Sequence, residues 1–181
     1  WMFLVAVYAF ESFSRGPVLP SPNIPSAITD AGTLPADMWF TALTKGVAEV
    51  MFADSVIVGI LFLIGIAIVS LRGAIMAACG TLVGIIVPLL FGASSSAIEM
   101  GLYSFNPVLT MMAVGWVFLK PTARSAMLAL LAGILTVVCQ AGLASFLTPL
   151  GLPTLTFPFV LVMWMFLFAA GKSKYWSGSE A

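Results

Sequence analysis

The chain has 181 residues, of which 61% are hydrophobic and 8% are charged, and its formal net charge is zero. Soluble domains carry about 25% charged residues, so this composition, with a mean hydropathy of +1.14, predicts an integral membrane protein. Because the sequence has no histidine, no basic run, no Cys/His cluster and no glycine-rich phosphate loop, it predicts neither nucleic-acid binding, nor a metal or cofactor site, nor enzymatic activity.

The chain opens inside an apolar run, "WMFLVAVYAF", which lacks the basic start and the cleavage pattern of a signal peptide. Residues 1–13 are therefore interpreted as the end of a transmembrane helix that begins upstream, and the chain as the C-terminal part of a longer protein. Residues 14–37 contain several prolines, which rule out a regular helix. We expect this polar segment to be an extracytoplasmic linker.

Residues 38–53 have the composition of a helix but are too short to span a bilayer, which takes about 20 residues. A re-entrant or interfacial helix is the natural assignment for them. Five longer apolar segments follow, and we predict one membrane helix in each, over about 55–71, 73–91, 98–119, 123–148 and 153–171. Only Arg72 separates the first two segments, which predicts a tight helical hairpin.

The basic residues give the orientation. If each segment crosses the bilayer once, the loops and tail on one side collect Arg72, Lys120, Arg124, Lys172 and Lys174. The positive-inside rule assigns this side to the cytoplasm, so the tail, residues 172–181, is predicted to be cytoplasmic. Short loops and a minimal tail favour a bacterial inner-membrane protein.

Three polar features within the apolar sequence require an explanation. The first is Glu49. An acidic residue at the centre of a membrane helix costs about 2.5–3.5 kcal/mol on insertion scales. Glu49 therefore either faces a solute pathway, or lies at the interface, where it meets water and pairs with Lys45 one helical turn away. The residue pattern favours neither alternative.

The second feature is Asn106-Pro107, since asparagine is costly in hydrocarbon and proline breaks the hydrogen-bond ladder of a helix. It predicts either a proline kink packed against neighbouring helices, or an unwound stretch whose carbonyls, around residues 101–103, line a cavity. The third feature is Thr156, because Pro158 is expected to disturb the first turns of its helix. The Thr156 hydroxyl either bonds its own backbone or lies where a solute can reach it.

Taken together, these stretches resemble the urea transporter family over about residues 38–171. "GVAEVMFAD" resembles the re-entrant pore-helix motif of the family, "GLYSFNPVL" its "GxxGFNxxL" element, and "LPTLTFPF" its "LPxxTxPF" signature. The acidic residue in the first motif suits the C-terminal one of the family's two homologous halves. The resemblance implies two inverted repeats, each of five transmembrane helices and one re-entrant helix, and a homotrimer in which each protomer conducts urea passively.

Carried over by motif position, the resemblance implies that six residues line the pore: Glu49, Val50, Phe52, Phe105, Leu109 and Thr156. Phe105 and Leu109 are four residues apart on one helical face and would form the narrow slot, with Thr156 at its midpoint. Glu49 would help to end a ladder of oxygen acceptors, and Val50 and Phe52 would form apolar wall.

Asn106 and Pro107 would support this arrangement by holding a distorted helix next to the slot. Pro107 departs from the family pattern, which often has a small residue after the asparagine. The second departure is that the chain holds only one half, so the N-terminal half is expected in the same protein, supplying a Gln or Glu and a Thr that face Glu49 and Thr156.

Two other interpretations stay open. In the first, the protein is a channel for another small neutral molecule, such as water, ammonia or a short amide. For water, "NPV" superficially resembles the Asn-Pro-Ala of aquaporins, although only one copy is present. Alternatively, the protein is a non-conducting membrane assembly subunit whose apolar segments serve only to pack. Several glycines suit close helix approach in either case, namely Gly59, Gly65, Gly80 and Gly84.

Overall fold

The computed structural model describes residues 36–93, 95–147 and 151–171, and the regular elements in these ranges are all helical. This confirms the predicted all-α class. The seven α-helices of these ranges are α1 (Ala36–Ala48), α2 (Val56–Val69), α3 (Leu71–Leu90), α4 (Ser95–Glu99), α5 (Phe105–Met112), α6 (Ala123–Leu147) and α7 (Phe157–Gly171). A 3₁₀ turn, Glu49–Met51, follows α1, and a π-helical turn, Ala113–Val117, follows α5. The predicted upstream helix end, nearly all of the linker and the tail lie outside the described residues.

Two helices of the described ranges are long and apolar enough to cross a bilayer alone: α3, with 20 residues, and α6, with 25 residues. At about 1.5 Å per residue, 20 helical residues cover the roughly 30 Å of hydrocarbon. Met38–Met51 and Val56–Val69 pass the same test as a pair bent by 75°, which fits a broken span or a re-entrant loop. The chain is therefore an integral membrane protein, whereas five crossings with one re-entrant helix stay a prediction.

The boundary between α2 and α3 falls at Ser70, so the prediction that Arg72 separates them is wrong. Ser70 has extended backbone (φ −159°, ψ 116°), and its hydroxyl caps α3 by accepting the Gly73 N–H at 3.2 Å. Arg72 lies in the first turn of α3, where its Nε donates to the Gly115 carbonyl at 2.9 Å and its Nη2 to the Thr122 carbonyl at 2.7 Å. The charge thus lies at the end of an apolar helix, but within α3 and not between α2 and α3, and these carbonyls accept its N–H groups.

The predicted single helix over 98–119 is wrong, because the chain forms α4, a turn and then α5. Gly101 adopts φ +79°, a left-handed conformation that costs glycine little, and α5 begins at Phe105. Pro107 consequently lies in the first turn of α5, where a missing N–H removes no helical hydrogen bond. The alternative of a mid-helix proline kink is therefore wrong as well.

The last helix, α7, also begins later than the predicted segment 153–171, at Phe157. Pro158 is buried in its first turn and interrupts no hydrogen-bond ladder, contrary to the prediction. Both proline-containing motifs thus mark the start of a helix. By contrast, α6 agrees with the predicted segment 123–148 as far as the described residues extend.

α3, α5 and α6 form the centre of the structure. Their apolar side chains, with those of the π-helical turn, make the main buried cluster, which includes Met76, Val83, Val87, Met111, Val114, Ala129, Ala132 and Val137. α1 packs beside it: Ala42 clusters with Ile85 and Ile98, and Val47 clusters with Ala77 and Val108. The end of α1 is thereby held against α3 and α5.

α3 meets the start of α5 through glycine. A Cβ added at Gly80 would lie 2.5 Å from the Val108 Cα and 2.9 Å from the Pro107 carbonyl oxygen, and one at Gly84 would collide with Ser104. The two backbones are close, as small residues allow between membrane helices. A Cβ at Gly65 in α2 would meet nothing within 4 Å, so the described part of the chain gives that glycine no packing role.

Candidate functional site

The predicted re-entrant motif ends in a tight turn. α1 passes into the 3₁₀ turn Glu49–Met51, and the Phe52 N–H donates to the Glu49 carbonyl at 2.9 Å. Phe52 adopts φ 55° and ψ 35°, a left-handed conformation that is uncommon for a bulky residue. This turn redirects the chain, so that α2 leaves at the 75° bend described above.

An ion pair closes this turn, with the Lys45 Nζ 2.6 Å from the Asp54 Oδ1. Lys45 is therefore engaged by Asp54, and Glu49 takes part in no ion pair within residues 36–93, 95–147 and 151–171. The alternative in which Glu49 pairs with Lys45 is wrong for this structure. Among the described residues, the half-buried Glu49 side chain therefore has no cation of its own.

α5 exposes one stripe of apolar side chains. Phe105, Leu109 and Met112 are half-buried, whereas the remaining residues of α5 are buried: Asn106, Pro107, Val108, Thr110 and Met111. Positions i, i+4 and i+7 lie on one face of a helix. Phe105 and Leu109 therefore share a face, as predicted, and that face is the one left least covered in the described part of the chain.

The turn after α1 contacts α5. Val50 packs against the buried cluster formed by Val47, Ala77 and Val108. The structure therefore brings Glu49 and Val50 to the helix that carries Phe105. It does not bring in Phe52, whose side chain is 66% exposed.

Thr156 immediately precedes α7, and its carbonyl accepts the Val160 N–H at 3.2 Å. Its side chain is half-buried. Four buried threonines bond the carbonyl four residues earlier in their own helices: Thr44, Thr81, Thr110 and Thr136. Thr156 has no helical carbonyl four residues before it, and its hydroxyl makes no hydrogen bond among the described residues. Within the described ranges, the alternative in which Thr156 bonds its own backbone is therefore not realised, and contact of its hydroxyl with a solute stays a prediction.

A buried amide network joins the starts of α5 and α7. The Asn106 Nδ2 donates to the Leu155 carbonyl at 2.9 Å and to the Gln140 Oε1 at 3.0 Å. The Gln140 Nε2 donates in turn to the Leu102 carbonyl at 2.6 Å. The expectation that the carbonyls of residues 101–103 line a cavity is therefore wrong for Leu102, whose oxygen is bound to the amide.

Gln140, which lies in α6 and is 6% exposed, was not among the residues predicted for the site. It stands in the apolar run "TVVCQAGL". An uncharged amide inside a membrane helix is costly unless it is hydrogen-bonded, and this cost is the signal that could have identified it.

An open apolar groove of about 440 Å³ is lined by Val58, Leu61, Phe62, Gly65, Ile66, Val69 and Trp116. None of the predicted pore residues lines it. The lining is apolar apart from the indole N–H of Trp116, so the groove does not suit a polar solute. No group of His, Cys, Asp or Glu in the described ranges could hold a metal ion.

Residues 1–171 match the family model described as "Urea transporter". The chain belongs to the urea transporter family. This membership confirms the resemblance that the three motifs indicated.

Relatives of the urea transporter family cover nearly the whole chain. Urea transporter 1 of Ovis aries is 31% identical over 173 residues, which are 95% of this chain and 44% of the relative. Urea transporter 1 of Capra hircus is 30% identical over 177 residues, with 93% and 45% covered, and that of Mus musculus is 31% identical over 176 residues, with 95% and 44% covered. The chain thus spans less than half the length of these relatives, which is consistent with the C-terminal half expected from its motifs.

Proposed function

We propose that this protein conducts urea down its concentration gradient across a membrane, without coupling to ions and without chemical change of the solute. The observation that carries the proposal is the position of α5. α5, which carries Phe105 and Leu109, contacts both the Glu49–Met51 turn and α7, and Asn106 of α5 bonds the Leu155 carbonyl next to Thr156. Membership of the urea transporter family supports urea as the solute.

The chemistry of urea matches these residues. Urea is flat and neutral, and its two amide groups present N–H donors along its edges. A carboxylate oxygen of Glu49 and the Thr156 hydroxyl can accept those donors, while Phe105 and Leu109 can contact the flat faces. Urea then exchanges hydrogen bonds with water for hydrogen bonds with protein at modest net cost.

The same walls would exclude ions. A hydrated ion that enters a slot lined by Phe105 and Leu109 loses water and gains no matched shell of ligands, which is prohibitive. Several weak acceptors in sequence also suit conduction better than one tight site, because the solute must leave as readily as it enters. Val50 and Phe52 serve as apolar wall in this proposal.

The finer architecture belongs to the same proposal. We infer five crossings with α1 as the re-entrant helix, a homologous half related by an inverted repeat, and a homotrimer with one pore in each protomer. The protein lies in a bacterial inner membrane with its C-terminus in the cytoplasm. The coverage of less than half of each relative supports a second half, and the exposed apolar side chains of α2, such as Ile57, Leu61 and Ile68, support contact with lipid or further helices.

A solute panel tests the proposal. The full-length gene product is reconstituted into liposomes, and the flux of urea, acetamide, ammonia and water is followed by stopped-flow light scattering, with and without sodium and proton gradients. We expect the increase in flux over empty liposomes to be larger for urea than for the other three permeants, with no effect of either gradient. A larger enhancement for another solute would establish the alternative channel, and no enhancement from correctly folded protein would establish the non-conducting subunit.

A further inference from the structure

We propose that Asn106 and Gln140 form an amide clamp that positions Thr156 against Phe105 and so sets which solutes pass. The clamp is defined by the hydrogen bonds that join Leu102, Gln140, Asn106 and Leu155. The proposal rests on the proposed conduction of urea and adds two positioning residues, which do not touch the solute.

The clamp joins three segments that are distant in sequence. Its hydrogen bonds connect residues 34, 49 and 38 positions apart, and they link the middle of α6 to the turn before α5 and to the segment before α7. Both of those helices begin with a proline in their first turn, where the first N–H groups have no partner within the helix. The bonds of the clamp therefore restrain helix starts that their own ladders restrain weakly.

The clamp also holds a strained residue. Leu155 adopts φ +43°, a left-handed conformation that is unfavourable for a side chain of this kind and persists only where the surroundings enforce it. The Asn106 amide on the Leu155 carbonyl is a restraint of this type. When the restraint is removed, the segment before α7 can relax to an ordinary conformation and move Thr156.

The orientation of the Asn106 amide is fixed. Its side chain is fully buried, and both N–H groups of Nδ2 are used, one on Leu155 and one on Gln140. Turned over, the amide would place Oδ1 against two oxygen atoms. Oδ1 has no hydrogen-bond partner among the described residues, and an unpaired buried acceptor is costly. The two donors thus dictate how this side chain sits.

The clamp connects Phe105, in the proposed slot wall, to Thr156, the proposed acceptor. Asn106 follows Phe105 directly, and Leu155 precedes Thr156 directly. The 2.9 Å hydrogen bond from Asn106 to the Leu155 carbonyl therefore joins the residue after Phe105 to the residue before Thr156. Gln140 holds the Asn106 amide in place from α6, so a change at Gln140 reaches Thr156 without touching the pathway.

The first test compares Gln140→Leu with Thr136→Val in the full-length protein. Thr136 lies one turn earlier in α6 and bonds Thr110 of α5 at 2.9 Å, so its substitution breaks a buried contact between the same two helices and leaves both helix starts alone. We expect Gln140→Leu to lower urea flux by about fivefold to tenfold and to change the ratio of urea to methylurea flux. Thr136→Val should change neither quantity. Equal flux and equal ratios in the two variants would overturn the clamp.

A double-mutant cycle separates positioning from general loosening. If Gln140 acts through Thr156, adding Gln140→Leu to Thr156→Val should cause no further loss, because the positioned hydroxyl is already gone. A further loss of the full single-variant size would show that Gln140 acts elsewhere and would overturn the proposal.

A labelling experiment tests the clamp without urea. Thr156→Cys is prepared in a background of Cys79→Ala and Cys139→Ala, and the rate of thiol labelling is compared with and without Gln140→Leu. We expect the rate to rise by about fivefold, the change in local opening that follows the loss of a buried hydrogen bond. An unchanged rate refutes the clamp. If the parent conducts no urea, the proposed function fails separately, and the labelling rate still decides whether the clamp exists.

Discussion

Replacing Gly80 with alanine should push α3 and α5 apart, and with them one wall of the proposed pathway. The added Cβ would lie 2.5 Å from the Val108 Cα, whereas ordinary contacts begin near 3.4 Å, so α5 must move by about 1 Å. The obstructing atoms belong to the backbone of Pro107 and Val108, so no side-chain rotation can relieve the collision. The displaced helix carries Phe105 and Leu109.

The expected magnitude combines two opposing effects. Overpacking typically costs about 1–3 kcal/mol, and the upper end applies because backbone meets backbone at Gly80. Replacing glycine with alanine inside a helix stabilises the folded state by about 1 kcal/mol through helix propensity. We therefore expect a net loss of about 2 kcal/mol in the free energy of unfolding. Gly65→Ala is the matched control, because a Cβ there would meet nothing within 4 Å. Its free energy of unfolding should rise by about 1 kcal/mol.

The assay is thermal unfolding of the purified protein in detergent, followed by urea flux in liposomes. A difference of about 3 kcal/mol between the two variants corresponds to about 6–12 °C in melting temperature for a chain of this size. Gly80→Ala should also conduct urea more slowly, whereas Gly65→Ala should conduct like the parent. Melting temperatures that agree for both variants would refute the close approach of α3 and α5 on which the pathway depends.

Two further substitutions test other parts of the account. Arg72→Met should lower the free energy of unfolding by about 2 kcal/mol, because three hydrogen bonds from its guanidinium are lost. Arg124→Met, at an exposed position, should change the melting temperature little, and equal melting temperatures for the two variants would contradict the contribution of the Arg72 hydrogen bonds. Phe105→Ala should widen the slot and raise the ratio of methylurea to urea flux by about tenfold. Phe168→Ala, at a 70% exposed position on α7, should leave that ratio unchanged, and a similar ratio in both variants would remove Phe105 from the pathway.

The long uninterrupted helices were predictable because apolar length alone determines them. The predicted segments 73–91 and 123–148 lie within two residues of α3 and α6 at their described ends. The motifs "GLYSFNPVL" and "LPTLTFPF" also indicated the correct family. In these cases the relevant information is local, either in a run of apolar residues or in a short pattern.

The helix starts were not predictable in the same way. The sequence alone does not distinguish a proline that kinks a helix from a proline in the first turn of a helix. The turn at Gly101, which precedes the start of α5 at Phe105, shows that Pro107 lies in a first turn. Gln140 was missed because its partners lie 34 and 38 residues away. The arrangement of acceptors thus depends on tertiary contacts that no local pattern contains.

The proposed pathway is tested most simply by urea flux into liposomes for the full-length parent, Glu49→Leu and Thr156→Val, with Thr136→Val as the control for a lost buried hydroxyl. The proposed pathway predicts fast flux in the parent and in the control, and a fall of about tenfold in the other two variants, still above empty liposomes, while their folding is unchanged. Parent-like flux in both Glu49→Leu and Thr156→Val would show that urea does not pass along these acceptors.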